Sequence, residues 1–353
     1  MKSTFRQGFI PPRLKSLTEA LAVQCCLNEY VYSTSEEEDH LIALLTSKIT
    51  ESPEEINEYL AVVGCYKPLQ LVNLDSAKIS HDVLSGAESK DFVATHLTEP
   101  FKEKEIKRLM QPSEVINDIV SKSVQEMYEE NPYPRYHYSD YTTSTLSKLA
   151  SEVIRRESTK MRLSFNHELL SLQESPKILI AECGTGDQVI KTSRYKNAKV
   201  TAIDLSGRSI AYSIRKTEEY NMTNVSFKRL DILNAEILNE TFDLKQCSGV
   251  LLHMEKPANG LSALVQQLQP GGYIKLGLYS TAARKTISRA QETIKRLEIE
   301  STAKGIRELR SKVMRGEINE LIDLPRCVRD FSRCPNAVTC ASMSKSIVLQ
   351  QWN

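Results

Sequence analysis

Three things are scarce in this chain of 353 residues: excess charge of either sign, long apolar runs, and paired cysteine motifs. Lysine and arginine number 46 against 45 acids. That balance argues against a general binder of nucleic acid or anionic membrane, although a local basic face is compatible with it. No apolar run approaches the roughly 18 residues that a membrane span needs. The opening M-K-S-T-F-R-Q-G-F-I-P-P has no apolar h-region, so a cytoplasmic protein is expected. The eight cysteines, at 25, 26, 65, 183, 247, 327, 334 and 340, include no C-x-x-C pair. They read as small buried hydrophobes, and no metal site is expected.

What is present changes character along the chain. Leu14, Leu17, Leu21 and Cys25 fall near helical spacing, a polar break runs from Ser33 to Asp39, and Ser52-Pro53-Glu54-Glu55 reads as another helix start. Helix follows helix without a 34-residue repeat, which predicts an α-helical accessory domain over 1–123. Residues 124–172 are expected to form a lid or linker segment and a helix. The prolines and tyrosines of V-Q-E-M-Y-E-E-N-P-Y-P-R-Y-H-Y-S-D-Y (124–141) form either an interdomain linker or a lid on a ligand pocket.

From Lys177 the pattern alternates. Strands are expected at 178–182, 199–204, 225–227, 242–250 and 273–278, with helices between them and a turn at Pro270-Gly271-Gly272. Such alternation specifies an α/β domain with a parallel sheet wound on both faces. The first strand runs straight into Gly184-Thr185-Gly186, where glycines permit positive φ and close approach of a ligand to backbone amides.

Asp204 ends the second strand twenty residues after Gly184, an offset at which a carboxylate can hold ribose hydroxyls. It could instead cap the next helix. A dinucleotide and S-adenosylmethionine both carry such a ribose. The dinucleotide fingerprint wants a third glycine, where this chain has Val189. The acid Glu182 before the turn, and the pair Asp231-Ile232 after the third strand, suit S-adenosylmethionine better, although Asp231 could be an ordinary turn acid.

The stretches Q-C-C-L-N-E-Y-V (24–31), Y-E-E-N-P-Y-P-R-Y (128–136), I-L-I-A-E-C-G-T-G (178–186), A-I-D-L-S (202–206), C-S-G-V-L-L-H-M (247–254) and L-Q-P-G-G-Y-I-K-L-G-L-Y-S (268–280) carry a resemblance. From about Leu21 to Arg329 the chain resembles the bacterial class I S-adenosylmethionine-dependent methyltransferases that occur alone or fused behind tetratricopeptide repeats. The resemblance implies a Rossmann-like class I methyltransferase sheet over 173–331, with S-adenosylmethionine at the carboxyl ends of its strands. It implies that Gly184 and Gly186 approach the methionine part, that Asp204 holds the ribose, and that Asp231 and Ile232 flank the adenine, with Leu205 also cofactor-binding. Cys247 and Ser248 would face the sulfonium, and Tyr133 would belong to the lid. At Glu182 the relatives usually carry glycine, although an acid there is common in the wider superfamily.

His253, after the fourth strand, is the candidate general base. The S-G-V-L that follows that strand gives no support to N-methylation of adenine or glutamine, so the acceptor, a protein or a small molecule, is not named by the sequence. Two rival readings remain: a cofactor-binding or interaction module without turnover, and an NAD-dependent oxidoreductase. After Phe331 the family pattern continues with C-R-D-L and F-H-V-Q-E, whereas this chain has S-R-C-P-N-A-V-T-C. Read one nucleotide out of register near codons 331 and 332, with ordinary synonymous codons, the tail can encode the family pattern. Residues 332–353 are therefore read as an aberrant, frame-shifted tail, with the final β-hairpin of the sheet missing.

Overall fold

The computed structural model describes residues 12–30, 32–51, 56–72, 89–112, 116, 118–139, 147–160, 174–278, 285–300 and 303–327. These divide into two compact units, one of residues up to Lys102 together with those from 285 onward, the other running from Glu103 to 278. Residues 285–327 thus group with the N-terminal helices, a different division from the 173–331 domain expected from the sequence. The tail at 332–353, and with it the expected loss of a hairpin, lies outside the described residues, as does the helix start at 52–55.

The first unit is helical. Helices Pro12–Leu27, Glu36–Glu51 and Ile56–Gly64 enclose a core of Ala22, Ile42, Ile49 and Val63, joined by Phe92 and Leu97. The first helix buries a different face from the one expected. Leu17 is 52% exposed, while Thr18, Glu19 and Ala22 are buried. Glu19 tolerates burial because its carboxylate accepts from the Ser89 amide at 2.7 Å. Helices Lys285–Arg296 and Ala303–Met314 build a second cluster around Ile294, Leu309 and Leu321. Among the described residues no helix is long and apolar enough to cross a membrane.

The second unit is a Rossmann-like α/β domain. Strands β1 (Lys177–Ala181), β2 (Lys199–Asp204), β3 (Val225–Arg229), β4 (Phe242–Ser248) and β5 (Leu268–Gly277) form one parallel sheet in the order β3-β2-β1-β4-β5. Ile178, Leu179, Ile180 and Ala181 of the central strand are all 0% exposed. Their side chains alternate between two apolar layers: Ile178 and Ile180 join Val200 and Leu244 on one face, and Leu179 and Ala181 join Ile203 and Leu264 on the other. β5 begins at Leu268, so Pro270-Gly271-Gly272 lies within a strand and is not a turn before it. The register shifts between Phe242 and Leu244, and a side chain at Gly272 would come within 2.7 Å of the Asp243 carbonyl. Glycine is what lets the two backbones approach there.

The chain runs outward from β1 through β2 to β3, then crosses back to β4 on the other side. Sheet order therefore reverses at β1, and the crevice beyond the carboxyl ends of β1, β2 and β4 is the expected ligand position for such a sheet.

Candidate active site

The glycine turn after β1 is built by left-handed backbone. Glu182, Gly184 and Gly186 have φ of 56°, 53° and 95°. At Gly186 a β-carbon would sit 2.3 Å from Ser213 Oγ and 3.1 Å from Ser213 Cα, so the helix Gly207–Glu219 packs directly on the turn. At Gly184 the nearest atom to a β-carbon would be the Tyr133 carbonyl oxygen, at 3.2 Å. The two glycines thus accept a helix on one side and the 131–139 segment on the other.

Asp204 joins three strand ends. Its Oδ2 accepts from the Gly184 amide at 2.7 Å, its Oδ1 accepts from the Ser206 amide at 2.8 Å, and its main-chain carbonyl accepts from the Leu230 amide. Helix capping falls to its neighbour: the Ser206 hydroxyl accepts from the Ser209 amide. Burial raises the Asp204 carboxyl to about 6, the Ser206 and Gly184 amides oppose that rise, and the Glu129 charge adds to it. A carboxylate has about four acceptor lone pairs, so the side chain keeps capacity for further donors.

Asp231 accepts from the Leu233 amide at 2.9 Å and so caps the 3-10 turn Ile232–Leu238. Ile232 itself is buried in the apolar layer with Leu179 and Ile203. A cavity of about 330 Å³ opens beside these strand ends, lined by Leu205, Leu230 and Asp231 and, from the helix Ile119–Glu130, by Lys122 and Gln125.

The 131–139 segment is tied across the turn. Thr185 Oγ1 donates to the Pro134 carbonyl at 2.6 Å, and Tyr136 Oη donates to the Thr185 carbonyl at 3.0 Å. Tyr212 on the helix Gly207–Glu219 donates to the Tyr136 carbonyl and accepts from the Tyr136 amide. The buried Lys216 ammonium donates to the His137 carbonyl at 2.8 Å and lies 5.6 Å from the Tyr136 ring centre. Burial pushes the Tyr136 phenol up, so it stays a donor.

Cys247 and Ser248 end β4, paired with Leu276 and Gly277 of β5, and Cys247 also faces Ala181. Burial, reinforced by the Glu182 charge, pushes the Cys247 thiol up to about 12, so it is no nucleophile at neutral pH. His253 closes the 3-10 turn Leu251–His253 beyond β4, and its amide donates to the Val250 carbonyl. The structure gathers Tyr133, Glu182, Gly184, Gly186, Asp204, Leu205 and Asp231 around one turn. Cys247, Ser248 and His253 follow the neighbouring strand at the same end of the sheet.

Several residues that shape this end were not singled out from the sequence. Glu129 accepts from the Gly207 amide at 2.6 Å and from Arg229 at 3.0 Å, and it pairs with Lys107. Gln125 donates to the Leu205 carbonyl at 2.9 Å. Glu129 and Tyr136 lie within Y-E-E-N-P-Y-P-R-Y, so the signal was present as a motif though not as named contacts.

A protein-family model described as a methyltransferase domain matches residues 178–272, which span β1 to the middle of β5. Residues 178–272 form a methyltransferase domain. An uncharacterized protein of Synechococcus sp. is 34% identical over 125 residues, 35% of this chain and 30% of that protein. Among solved structures, PKMT2 from Rickettsia typhi in complex with AdoHcy shares 23% identity at a TM-score of 0.33, over 36% of this chain and 26% of that one. A SAM-dependent methyltransferase from Thiobacillus denitrificans, in complex with S-adenosyl-L-homocysteine, shares 24% identity at a TM-score of 0.28, over 34% and 51% of the two chains. The chain therefore spans from about a quarter to half the length of each of these proteins. In this chain the methyltransferase domain carries the glycine turn, Asp204 and Asp231, while the segment tied over the turn comes from outside it.

Proposed function

We propose that the chain binds S-adenosylmethionine at the carboxyl ends of β1 to β4 and transfers its methyl group to an acceptor that is a protein or a small molecule. The observation that carries the reading is the linkage of Gly184 to Asp204 at 2.7 Å, at the point where sheet order reverses, inside a matched methyltransferase domain. The residues present fit the cofactor: Asp204 retains acceptor capacity for ribose hydroxyls, and the cavity beside Leu205 and Asp231 is of the size small ligands take. When bound, the cofactor supplies a methyl group already activated on a sulfonium sulfur.

The chain's task is then alignment and exclusion of water. Asp204 and Leu205 hold the ribose, and Asp231 and Ile232 the adenine side. The 131–139 segment with Tyr133 covers the turn, and His253 takes a proton from the acceptor where the acceptor carries one. Cys247 and Ser248 lie beside the reacting end as neutral groups. We place the reaction in the bacterial cytoplasm and propose no nucleic-acid partner. Calorimetry with S-adenosylmethionine and, separately, NAD tests the cofactor. Preference for NAD would replace this reading with an oxidoreductase. Transfer of label from methyl-labelled cofactor into lysate fractions tests turnover. Binding without transfer would favour a module without turnover.

A further inference from the structure

Glu182 is the one side chain at the glycine turn that works against its surroundings. It holds φ 56°, in the left-handed region that favours glycine. Its Oε1 is out of reach of solvent and has no hydrogen-bond partner among the described residues. Orphaned buried oxygens are costly, and they mark places where a group fills space arranged for something else.

The surroundings say what that something is. Burial, and after it the charges of Asp204 and Asp231, push the Glu182 carboxyl well above the usual carboxylate range, and the amides of Leu205 and Ile232, which bond to it, oppose that rise. No group of three or more such residues is placed to hold a metal ion among the described residues, so a bridging cation does not account for the cluster. Two main-chain donors and two acids at the ends of β2 and β3, beside an open cavity, match the pattern of a nucleoside: acceptors on the base, donors on the ribose and the exocyclic amine. The Glu182 carboxyl interacts with all four.

We propose that the Glu182 side chain occupies the adenosine part of the cofactor pocket and competes with the cofactor for the Leu205 and Ile232 amides, so that it sets the affinity of the site. This rests on the S-adenosylmethionine reading above. Binding requires the carboxyl group to leave the two amides, and removing the side chain removes that competition.

The test is calorimetric titration of S-adenosylmethionine into the full chain and its Glu182→Gly, Glu182→Ala and Glu182→Gln variants, with thermal unfolding of each as the folding control. Loss of a competing buried group is expected to tighten binding by roughly tenfold or more in Glu182→Gly. Glu182→Ala should tighten it as well, and Glu182→Gln, which fills the same volume, should stay near the parent. Folded Glu182→Gly and Glu182→Ala variants that bind no tighter than the parent overturn the proposal and leave the cofactor reading standing. If none of the four chains binds S-adenosylmethionine, the cofactor reading falls and takes this proposal with it. Should Glu182→Gly fail to fold, Glu182→Ala carries the same comparison.

Discussion

Thr185 and Pro134 are 51 residues apart in the chain, yet the threonine hydroxyl donates to the proline carbonyl at 2.6 Å. That bond joins the middle of the glycine turn to the segment crossing it, and Tyr136 returns a second bond to the Thr185 carbonyl. Thr185→Val keeps the shape of this buried side chain and removes the donor to the Pro134 carbonyl. A loss of about 1 to 2 kcal/mol in denaturant unfolding is expected. Because the strap borders the proposed pocket, the S-adenosylmethionine Kd should rise several-fold in Thr185→Val and in Tyr133→Ala. An unchanged Kd in both variants would show that the strap is structural and no lid.

Gly186→Ala tests the packing of the turn. The new β-carbon would meet Ser213 at its Oγ, Cβ and Cα within 2.3 to 3.1 Å, on a backbone already at φ 95°. Rotating Ser213 clears only the Oγ, so the helix Gly207–Glu219 must shift. The expected cost is about 2 to 4 kcal/mol, read from urea unfolding. Adding Ser213→Gly should return the steric part and leave the left-handed strain. A Gly186→Ala chain as stable as the parent would mean that the helix does not pack on the turn as described.

The turn and the first strand were legible because their signals are local: four apolar residues, then two glycines. Parallel alternation follows from the same kind of evidence. What stayed hidden depends on distant partners. Periodicity assigned Leu17 to the buried face of the first helix, because it cannot show that Glu19 finds the Ser89 amide 70 residues on. Nothing in the sequence singles out Glu129, and only the fold brings it to the Gly207 amide. Pro270-Gly271-Gly272 has turn chemistry, but the close approach of β5 to Asp243 takes those glycines into a strand. At Glu182 the departure from glycine was visible in the sequence, whereas the positive φ that gives it consequence was not.

His253 separates catalysis from scaffolding. As a base it would leave cofactor affinity unchanged while slowing transfer. With an acceptor in hand, His253→Gln should lower kcat by roughly a hundredfold or more, with the S-adenosylmethionine Kd within a factor of about two of the parent. The pH profile should lose its acidic limb. A fall in thermal stability together with a weakened Kd and an intact pH profile would assign the residue to the turn after β4 and remove it from the chemistry.

Lys245 is 0% exposed in the middle of β4, opposite Leu179 and Ile274, with the Gln267 side-chain oxygen 3.5 Å away and the Phe242 ring 5.3 Å away. Burial lowers its ammonium from 10.5 to about 8. A depressed folded value means that the unfolded chain binds this proton more readily. Stability from this group is therefore fully present above 10.5, is lost as the pH falls toward 8, and stays lost below that. At neutral pH the penalty is on the order of a few kcal/mol. Lys245→Met fills a similar volume without the charge, and the melting temperature at pH 7 should rise by roughly 5 °C or more. The gain should shrink steadily between pH 8 and 10.5 as the parent recovers. A gain that is constant across that window would show that packing, not the buried ammonium, limits β4, and a loss of stability at pH 7 would show that the lysine has a partner worth more than its desolvation.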